Sequence, residues 1–301
     1  VVALFSSVPL GALLARYTMN ILTVPDLVAL PLFIIMGELL FRTRLSSALF
    51  SGLAPWTGKL PGRLIHLNVL ASTVFASISG SSAATTQVVG KMSLMELIRR
   101  GYAPGIAMGS LAGAGTLGLL IPPSIMMIVY GVAAQVSISR LFIAGILPGL
   151  LLLAIFSGYL MLWSACNRSK LPEEGERLPF MDKLRKARLL IPVLGLIIAV
   201  IGSIYGGIAT ATEAAAVGVV GALLIALISG ALTRETFMAS LMGAVSTSCM
   251  IFFILLGAAY LTSAMSFTGL PSALADWIIA RQLSPYVLLL ALTLLFITLG
   301  C

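Results

Sequence analysis

The chain has 301 residues, of which 59% are hydrophobic and 9% are charged, and its mean hydropathy is +1.11. A water-soluble domain of this length cannot bury so much apolar surface. The net charge of +8 would suggest nucleic acid binding in a soluble protein, but here the basic residues lie between apolar blocks, as in a membrane protein. One histidine and three widely spaced cysteines provide neither a cluster of metal ligands nor a disulfide framework.

Apolar blocks alternate with polar stretches along the chain, and most of them are long enough to cross a bilayer as one helix. The blocks run over residues 1–14, 24–41, 64–90, 103–135, 141–163, 189–205, 214–231, 237–265 and 285–299. This pattern predicts an all-α, multi-pass membrane protein. Because the chain begins at Val1 and stops at Cys301 inside apolar stretches, we expect it to be a fragment of a longer protein.

Two of the blocks contain helix breakers at membrane depth. Block 64–90 is interrupted by a run of small and polar residues at 77–86, and block 103–135 is interrupted by Gly115-Thr116-Leu117-Gly118 and by Pro122-Pro123. Consecutive prolines end one helix and readily start another. We predict a re-entrant helical hairpin in the first block and a broken helix in the second.

The distribution of basic residues favours this arrangement. With the hairpin at 64–90 and one broken crossing at 103–135, 15 of the 18 basic residues share one side of the membrane, whereas exchanging the two roles leaves 12 there. The three exceptions are Arg16, Arg140 and Arg281. The polar stretch 167–188 holds seven of the basic residues and is predicted to be a cytoplasmic linker.

The two halves of the chain resemble each other weakly at a steady spacing. Residues 33–37 resemble residues 253–257, and Trp56 corresponds to Trp277, at offsets of 220 and 221. In the preferred topology the two copies have opposite orientations, which is typical of secondary transporters. The predicted division is a first inverted repeat over residues 1–166, the linker over 167–188, and an incomplete second repeat over 189–301 whose hairpin is missing.

Each helix break exposes backbone and hydroxyl groups that can bind an ion or a substrate. Non-helical backbone persists in a membrane only where it is buried in protein or lines a wet cavity. The ending half-helix presents carbonyls to a cation such as Na⁺, and the starting half-helix, capped by Ser81 or Ser82, presents N–H groups to an anion. The predicted Na⁺ ligands are Ser79, Gly80, Gly115, Thr116 and Gly118, and the predicted substrate contacts are Ser81, Ser82, Thr85 and Ser124. Alternatively, the small residues only let helices pack closely, and the second break is only a kink.

Other polar residues in the apolar blocks are expected to be structural. Glu38 precedes Arg42 by four residues, which favours an ion pair over an ion relay. The pattern from Thr210 to Glu213 predicts a capping box at a helix start. His66 is expected to satisfy a backbone group rather than to titrate in a mechanism.

Six stretches of the sequence, in this order along the chain, resemble the large membrane subunit of the tripartite ATP-independent periplasmic (TRAP) transporters. They are residues 31–39, 60–69, 75–81, 115–124, 141–149 and 212–217. The family pattern Thr-Pro-Thr-Glu departs at Ala211, where this chain lacks the proline, so a softer turn is expected there.

The resemblance implies an inner-membrane permease subunit of an elevator-type symporter. Such a subunit uses a Na⁺ gradient to import organic acids, such as C4-dicarboxylates or sialic acid, that a periplasmic binding protein delivers. A small membrane subunit is a further expected partner, and neither enzymatic activity, a cofactor nor nucleic acid binding is expected. By position, residues 79–82 and 115–118 would form the first sodium site and one wall of the substrate site.

Three alternatives to this function differ in their requirements. A single-component dicarboxylate or ion transporter would need no binding protein. An intramembrane hydrolase would need a base paired with Ser81, and no histidine, lysine or aspartate lies near it in sequence. A channel would conduct far faster than an elevator.

Overall fold

The computed structural model describes residues 10–43, 45–58, 60–168, 171–172 and 179–299, and all the secondary structure in these residues is helical. The α-helices are α1 (Leu10–Leu22), α2 (Ala29–Phe41), α3 (Leu45–Thr57), α4 (His66–Ser79), α5 (Ser82–Arg99), α6 (Pro104–Gly115), α7 (Ile125–Ala133), α8 (Ile138–Cys166), α9 (Phe180–Ala187), α10 (Ile191–Tyr205), α11 (Ala211–Ile228), α12 (Arg234–Ser266), α13 (Leu270–Ala280) and α14 (Pro285–Leu299). Short 3-10 turns lie at Pro25–Val28, Arg63–Ile65, Thr116–Leu119 and Arg188–Leu190.

Four helical segments among the described residues are long and apolar enough to cross a membrane. They are α8, the continuous segment Phe180–Tyr205, α11 and α12. Residues 15–22 and 25–41 form a fifth span if this broken pair is counted as one. These candidate spans agree with the predicted all-α, multi-pass architecture.

Two compact units make up the described chain: residues 24–251, and residues before 24 together with those after 251. In the larger unit, α2 packs against α11 and α4 packs against α5 and α6. Phe33, Phe75 and Phe142 are fully buried there, and the rings of Phe33 and Phe142 meet edge to face at 6.2 Å. In the smaller unit, α13 and α14 bury none of their residues, as expected of helices whose apolar exteriors face lipid or a partner.

The predicted break in block 64–90 is confirmed. α4 ends because Gly80 takes the left-handed conformation (φ 59°), which residues with a Cβ disfavour, and α5 begins because the Ser81 side chain accepts a hydrogen bond from the Ala84 N–H. Ser81 rather than Ser82 is therefore the N-cap. The two helices pack against each other as a hairpin with a two-residue turn.

Tyr102 joins the two open ends of this hairpin. Its hydroxyl donates to the Gly62 carbonyl at 3.3 Å, just before α4, and accepts from the Leu64 N–H at 3.3 Å. Burial raises the pKa of the Tyr102 hydroxyl, which keeps the donor protonated. Because Tyr102 follows α5 by only a few residues, the chain enters and leaves the hairpin at the same place.

The predicted break in block 103–135 is also confirmed, and it begins at Gly115, the first residue of the predicted interruption. α6 ends at Gly115, the 3-10 turn Thr116–Leu119 follows, and irregular chain continues to Ser124, which caps α7. Pro122 and Pro123 lie within the irregular stretch, so neither ends α6 nor starts α7 directly. Two glycines, Gly113 and Gly115, lie where α6 stops, and glycine is the poorest helix former after proline.

A helix lies within the polar stretch 167–188, which the sequence predicts to be a linker. α9 continues through the turn Arg188–Leu190 into α10 and packs against α3. The sequence signal for it is the spacing of Phe180, Leu184 and Ala187, which recurs at helical intervals among basic residues. The Arg63 side chain donates to the Pro172 carbonyl at 2.6 Å, so the start of this stretch contacts the base of the hairpin.

The three structural roles predicted for other polar residues are confirmed. Glu38 pairs with Arg42 at 3.3 Å. Thr210 and Glu213 exchange the two hydrogen bonds of a capping box at the start of α11. His66 contacts the Pro61 carbonyl through Nε2 at 2.6 Å.

Candidate functional site

The tip of the hairpin packs directly on the broken segment after α6. The Gly80 carbonyl accepts a hydrogen bond of 3.0 Å from the Ile125 N–H, the first residue of α7. A Cβ added to Gly80 would lie 2.5 Å from the Pro123 carbonyl oxygen, so the two backbones are as close as a glycine permits. The two helix breaks found in the sequence are therefore brought together in space.

Gly115 and Gly118 provide the rest of this close approach. A Cβ on Gly118 would lie 2.9 Å from the Ser81 carbonyl carbon and from the Ser82 nitrogen. A Cβ on Gly115 would collide with the Thr86 hydroxyl. Both glycines are buried, so the close-packing role that the sequence left open as an alternative is present for these residues. Their role as Na⁺ ligands stays a prediction.

Hydroxyl groups line the inside of the hairpin tip. Ser79 Oγ lies 3.0 Å from Thr85 Oγ1 and joins the two arms, and it accepts from the Ser81 N–H at 3.3 Å. Ser79 is 5% exposed and Thr85 is fully buried, so their oxygens face the interior of the tip. Ser81 and Ser82 are half-buried and reach the surface of the tip.

The remaining predicted site residues lie on the broken segment. Thr116 is exposed, and its hydroxyl donates to the Gly113 carbonyl at 2.7 Å. Ser124 is fully buried, and its hydroxyl donates to the Leu119 carbonyl at 2.8 Å, which closes the irregular turn. In this conformation, Thr85 and Ser124 bond to other protein groups and do not reach the surface. Their role as substrate contacts stays a prediction.

The chemistry of the tip comes from dipoles and neutral oxygens. Residues 77–86 and 113–125 contain no acidic or basic side chain. The N–H groups of Ser82 and Ala83 have no partner within α5, because the first four N–H groups of a helix cannot bond inside it. These N–H groups can bind an anionic group, and the carbonyl end of α4 can bind a small cation. Among the described residues, no group of three or more His, Cys, Asp or Glu side chains could hold a metal ion.

Two side chains that sequence reasoning did not assign to the site hold the hairpin in place. Asn68 is fully buried on α4, and its amide donates to the Ala107 carbonyl at 3.1 Å and to Ser110 Oγ at 2.9 Å, both on α6. Thr86 donates to the Ser82 carbonyl at 2.9 Å and contacts Gly115. A buried asparagine in an apolar helix is the signal that could have identified the first of these.

Comparison with known proteins agrees with the earlier resemblance. Residues 1–301 match the family described as "Tripartite ATP-independent periplasmic transporter, DctM component". The C4-dicarboxylate TRAP transporter large permease protein DctM of Pseudomonas aeruginosa is 33% identical over 91% of this chain and 64% of its own length.

Two further relatives have different named substrates. The ectoine/5-hydroxyectoine TRAP transporter large permease protein UehC of Ruegeria pomeroyi is 32% identical over 92% of this chain and 64% of its own length. The sialic acid TRAP transporter large permease protein SiaM of Vibrio cholerae is 31% identical over 91% of this chain and 64% of its own length. The chain thus spans just under two thirds of the length of these relatives. It belongs to the DctM component family of the tripartite ATP-independent periplasmic transporters and, like its members, is a multi-pass protein of the bacterial inner membrane.

Proposed function

We propose that this chain is part of the large permease subunit of a Na⁺-coupled secondary transporter that imports organic acid anions. It is a transport protein and not an enzyme. A periplasmic binding protein delivers the substrate, and a small membrane subunit completes the assembly. The word "tripartite" in the family description supports an assembly of three components.

The observation that carries this proposal is the contact between the two helix breaks, where the Gly80 carbonyl bonds to the start of α7. One break alone can be a kink, but two breaks packed on each other place the end of α4 and the starts of α5 and α7 around one point. An anion and a cation can both be held there without charged side chains. This is the arrangement expected of a transporter that releases its cargo again.

The depth of the tip supports a re-entrant hairpin. α4 has 14 residues, which at 1.5 Å each gives about 21 Å, less than the roughly 30 Å of the hydrocarbon core. Because Tyr102 holds both ends of the hairpin together, the tip of this hairpin lies inside the membrane rather than beyond it. In the proposed elevator movement, α4 to α7 carry the site as one body.

The substrate is proposed to be a carboxylate. The names of the relatives refer to C4-dicarboxylates, ectoine and sialic acid, and each of these molecules carries at least one carboxylate. The free N–H groups of Ser82 and Ala83 suit that group. The coupling ion is proposed to be Na⁺, because the tip offers only hydroxyl and carbonyl oxygens, which a hard cation prefers.

Uptake by the complete transporter in proteoliposomes tests the proposal. We expect uptake of a radiolabelled dicarboxylate or sialic acid to collapse when K⁺ replaces the imposed Na⁺ gradient. Replacing Thr116, a proposed Na⁺ ligand, by valine is expected to raise the Na⁺ concentration for half-maximal uptake by about tenfold, the effect of roughly 1.4 kcal/mol of lost binding free energy. Replacing Ser81, a proposed substrate contact, by alanine is expected to raise the substrate concentration for half-maximal uptake by a similar factor.

Ser137→Ala is the matched control for Ser81→Ala. Ser137 caps α8 as Ser81 caps α5, so both variants lose an N-cap that contributes about 1 kcal/mol, but only Ser81 lies at the hairpin tip. The control is expected to keep the wild-type substrate concentration for half-maximal uptake. Uptake that ignores Na⁺, or an equal effect of the two serine variants, would contradict the proposed site. Uptake by the membrane part without the binding protein would favour the single-component alternative.

A further inference from the structure

One end of the Asn68 side-chain amide makes hydrogen bonds and the other does not. The side chain is fully buried on α4, and its nitrogen donates to the Ala107 carbonyl at 3.1 Å and to Ser110 Oγ at 2.9 Å. A carbonyl oxygen can only accept, so the Ala107 carbonyl fixes which end of the amide faces it. Asn68 Oδ1 lies at the other end of the amide and has no hydrogen-bond partner among the described residues.

The hydroxyl of Ser72 also lacks a bond. Ser72 lies one turn further along α4 and is fully buried, and no group in the described part of the chain bonds to its Oγ. A serine or threonine inside a helix often donates to the carbonyl four residues earlier, as Thr73 does to Val69 at 2.8 Å and Ser77 does to Thr73 at 3.0 Å. The Ser72 hydroxyl differs from these two neighbours on the same helix, so its oxygen is directed elsewhere.

Helical geometry brings these two oxygens close to each other. Residues four apart lie on one face of a helix, with Cβ atoms about 5–6 Å apart. Helical side chains lean toward the N-terminal end of their helix, so the Ser72 side chain leans over Asn68. One small molecule that bonds to each oxygen at about 2.8 Å bridges a separation of this size.

The side of α6 that faces Asn68 carries small side chains. Ala107, Ser110 and Ala114 are all buried, and their i, i+3, i+7 spacing places them on one face of the helix. An alanine side chain has no group that bonds to either oxygen, and it occupies little of the space beside them. Ser110 Oγ donates to the Ala107 carbonyl at 3.1 Å and accepts from Asn68, so one of its two lone pairs is left for a third bond.

We propose that Asn68 and Ser72 bind one buried water molecule between α4 and α6. The water donates one hydrogen to Asn68 Oδ1 and the other to Ser110 Oγ, and it accepts the hydrogen of the Ser72 hydroxyl. Buried waters typically make about three hydrogen bonds. A buried polar atom without a bond costs free energy, so the water stabilises the packing of the hairpin on α6.

The occupant is water and not a cation. At the hairpin tip the ending helix has carbonyls without helical partners, but Asn68 and Ser72 lie inside α4, where the carbonyls already accept helical hydrogen bonds. Only three side-chain oxygens are therefore available, whereas a hard cation such as Mg²⁺ takes about six oxygen ligands. A water molecule needs fewer partners and can both donate and accept, as these three groups require.

Cryo-electron microscopy of the complete transporter in lipid nanodiscs, at a resolution that shows ordered water, tests this inference. We expect one density peak at about 2.8 Å from both Asn68 Oδ1 and Ser72 Oγ. The peak is expected in a buffer with Na⁺ and equally in a buffer in which choline replaces every metal cation. The site lies away from the tip, so this result does not depend on whether the tip binds Na⁺.

Two serine variants of α4 test which residue holds the water. Ser72→Ala is expected to lose the peak, because the water then keeps only two of its three partners. Ser77→Ala is the matched control, because it removes a hydroxyl that donates to a carbonyl of its own helix, and it is expected to keep the peak. Ser72→Ala is also expected to have the lower melting temperature, because it leaves Asn68 Oδ1 without a bond.

Four results would overturn the inference. A wild-type map without the peak would exclude the water, with the Ser72 hydroxyl then turned to the backbone carbonyl of Asn68. A peak seen only with Na⁺ would identify a cation. A peak that persists in Ser72→Ala, or equal melting temperatures of the two variants, would show that Ser72 does not hold the molecule. The two wild-type maps decide the occupant even if Ser72→Ala fails to fold.

Discussion

At the scale of single residues, the hairpin tip depends on the missing Cβ of its glycines and on the hydroxyl groups of its serines and threonines. Gly80 and Gly118 permit backbone contacts that a Cβ would block, while the hydroxyls of Ser79 and Thr85 join the two arms of the hairpin. Close packing and oxygen ligation are therefore compatible functions of the same few residues. They can be separated by substitutions that change only one of them.

Gly118→Ala is expected to destabilise the hairpin tip. The added Cβ would lie 2.9 Å from the backbone of Ser81 and Ser82, which cannot move aside as a flexible side chain would. Overpacking of this kind costs about 1–3 kcal/mol, so a lower melting temperature in detergent and reduced uptake are expected. Gly113→Ala is the control, because its Cβ would only touch the Phe156 ring at an ordinary 3.7 Å. Equal melting temperatures for the two variants would show that the tip is not packed as described.

Thr85→Val tests the link between the hairpin arms. The substitution keeps the shape of a fully buried side chain but removes the hydroxyl that lies 3.0 Å from Ser79 Oγ. Loss of one partner of a buried hydrogen bond costs about 1–3 kcal/mol. Faster hydrogen exchange is expected in the amides of residues 79–86, measured by mass spectrometry. Thr73→Val on the same hairpin, which loses only a bond to its own helix backbone, should leave those amides unchanged.

At the scale of elements, the hairpin is closed at its tip by glycine and serine and at its base by Tyr102. Tyr102→Phe keeps the ring but removes the hydroxyl that bonds to Gly62 and Leu64. The buried Gly62 carbonyl and Leu64 N–H then lose a partner, so a loss of about 1–3 kcal/mol is expected. A lower melting temperature should accompany faster hydrogen exchange in residues 62–66. Tyr159→Phe, at an exposed ring on α8, should change neither measurement.

The sequence predicts the helix breaks better than it predicts their contacts. Glycine, serine and proline act locally, so both breaks could be located from their residues alone, and the cap could be narrowed to Ser81 or Ser82. The end of α6 at Gly115 coincides with the predicted interruption Gly115-Thr116-Leu117-Gly118, whereas Pro122 and Pro123 lie inside the irregular stretch and not at a helix end. The contact between Gly80 and Ile125 depends on tertiary packing over 45 residues of chain, and no local pattern encodes it. The helix α9 was missed because its charges resemble those of a solvated linker.

At the scale of the whole molecule, the basic residues gather where several connections meet. Tyr102 ties the loop after α5 to the base of the hairpin, and Arg63 donates from that base to Pro172 after α8. The end of α2 lies beside α5, because the ammonium group of Lys91 on α5 is 5.8 Å from the centre of the Phe41 ring on α2. The segments whose basic residues the sequence assigns to one side of the membrane thus contact each other.

This arrangement predicts which single cysteines an impermeant maleimide can reach. In the complete protein without its other cysteines, Pro61→Cys before the hairpin and Arg100→Cys after it are both expected to be protected in intact cells and labelled in inside-out vesicles. Arg140→Cys, at the start of α8, is expected to show the reverse pattern, because in the predicted topology α6 and α7 together cross the membrane once. All three positions have exposed or half-buried side chains in the structure, so burial in the protein does not limit labelling. If Arg100→Cys followed Arg140→Cys instead of Pro61→Cys, residues 64–90 would be a full crossing, and the tip at Gly80 would lose its place at the proposed site.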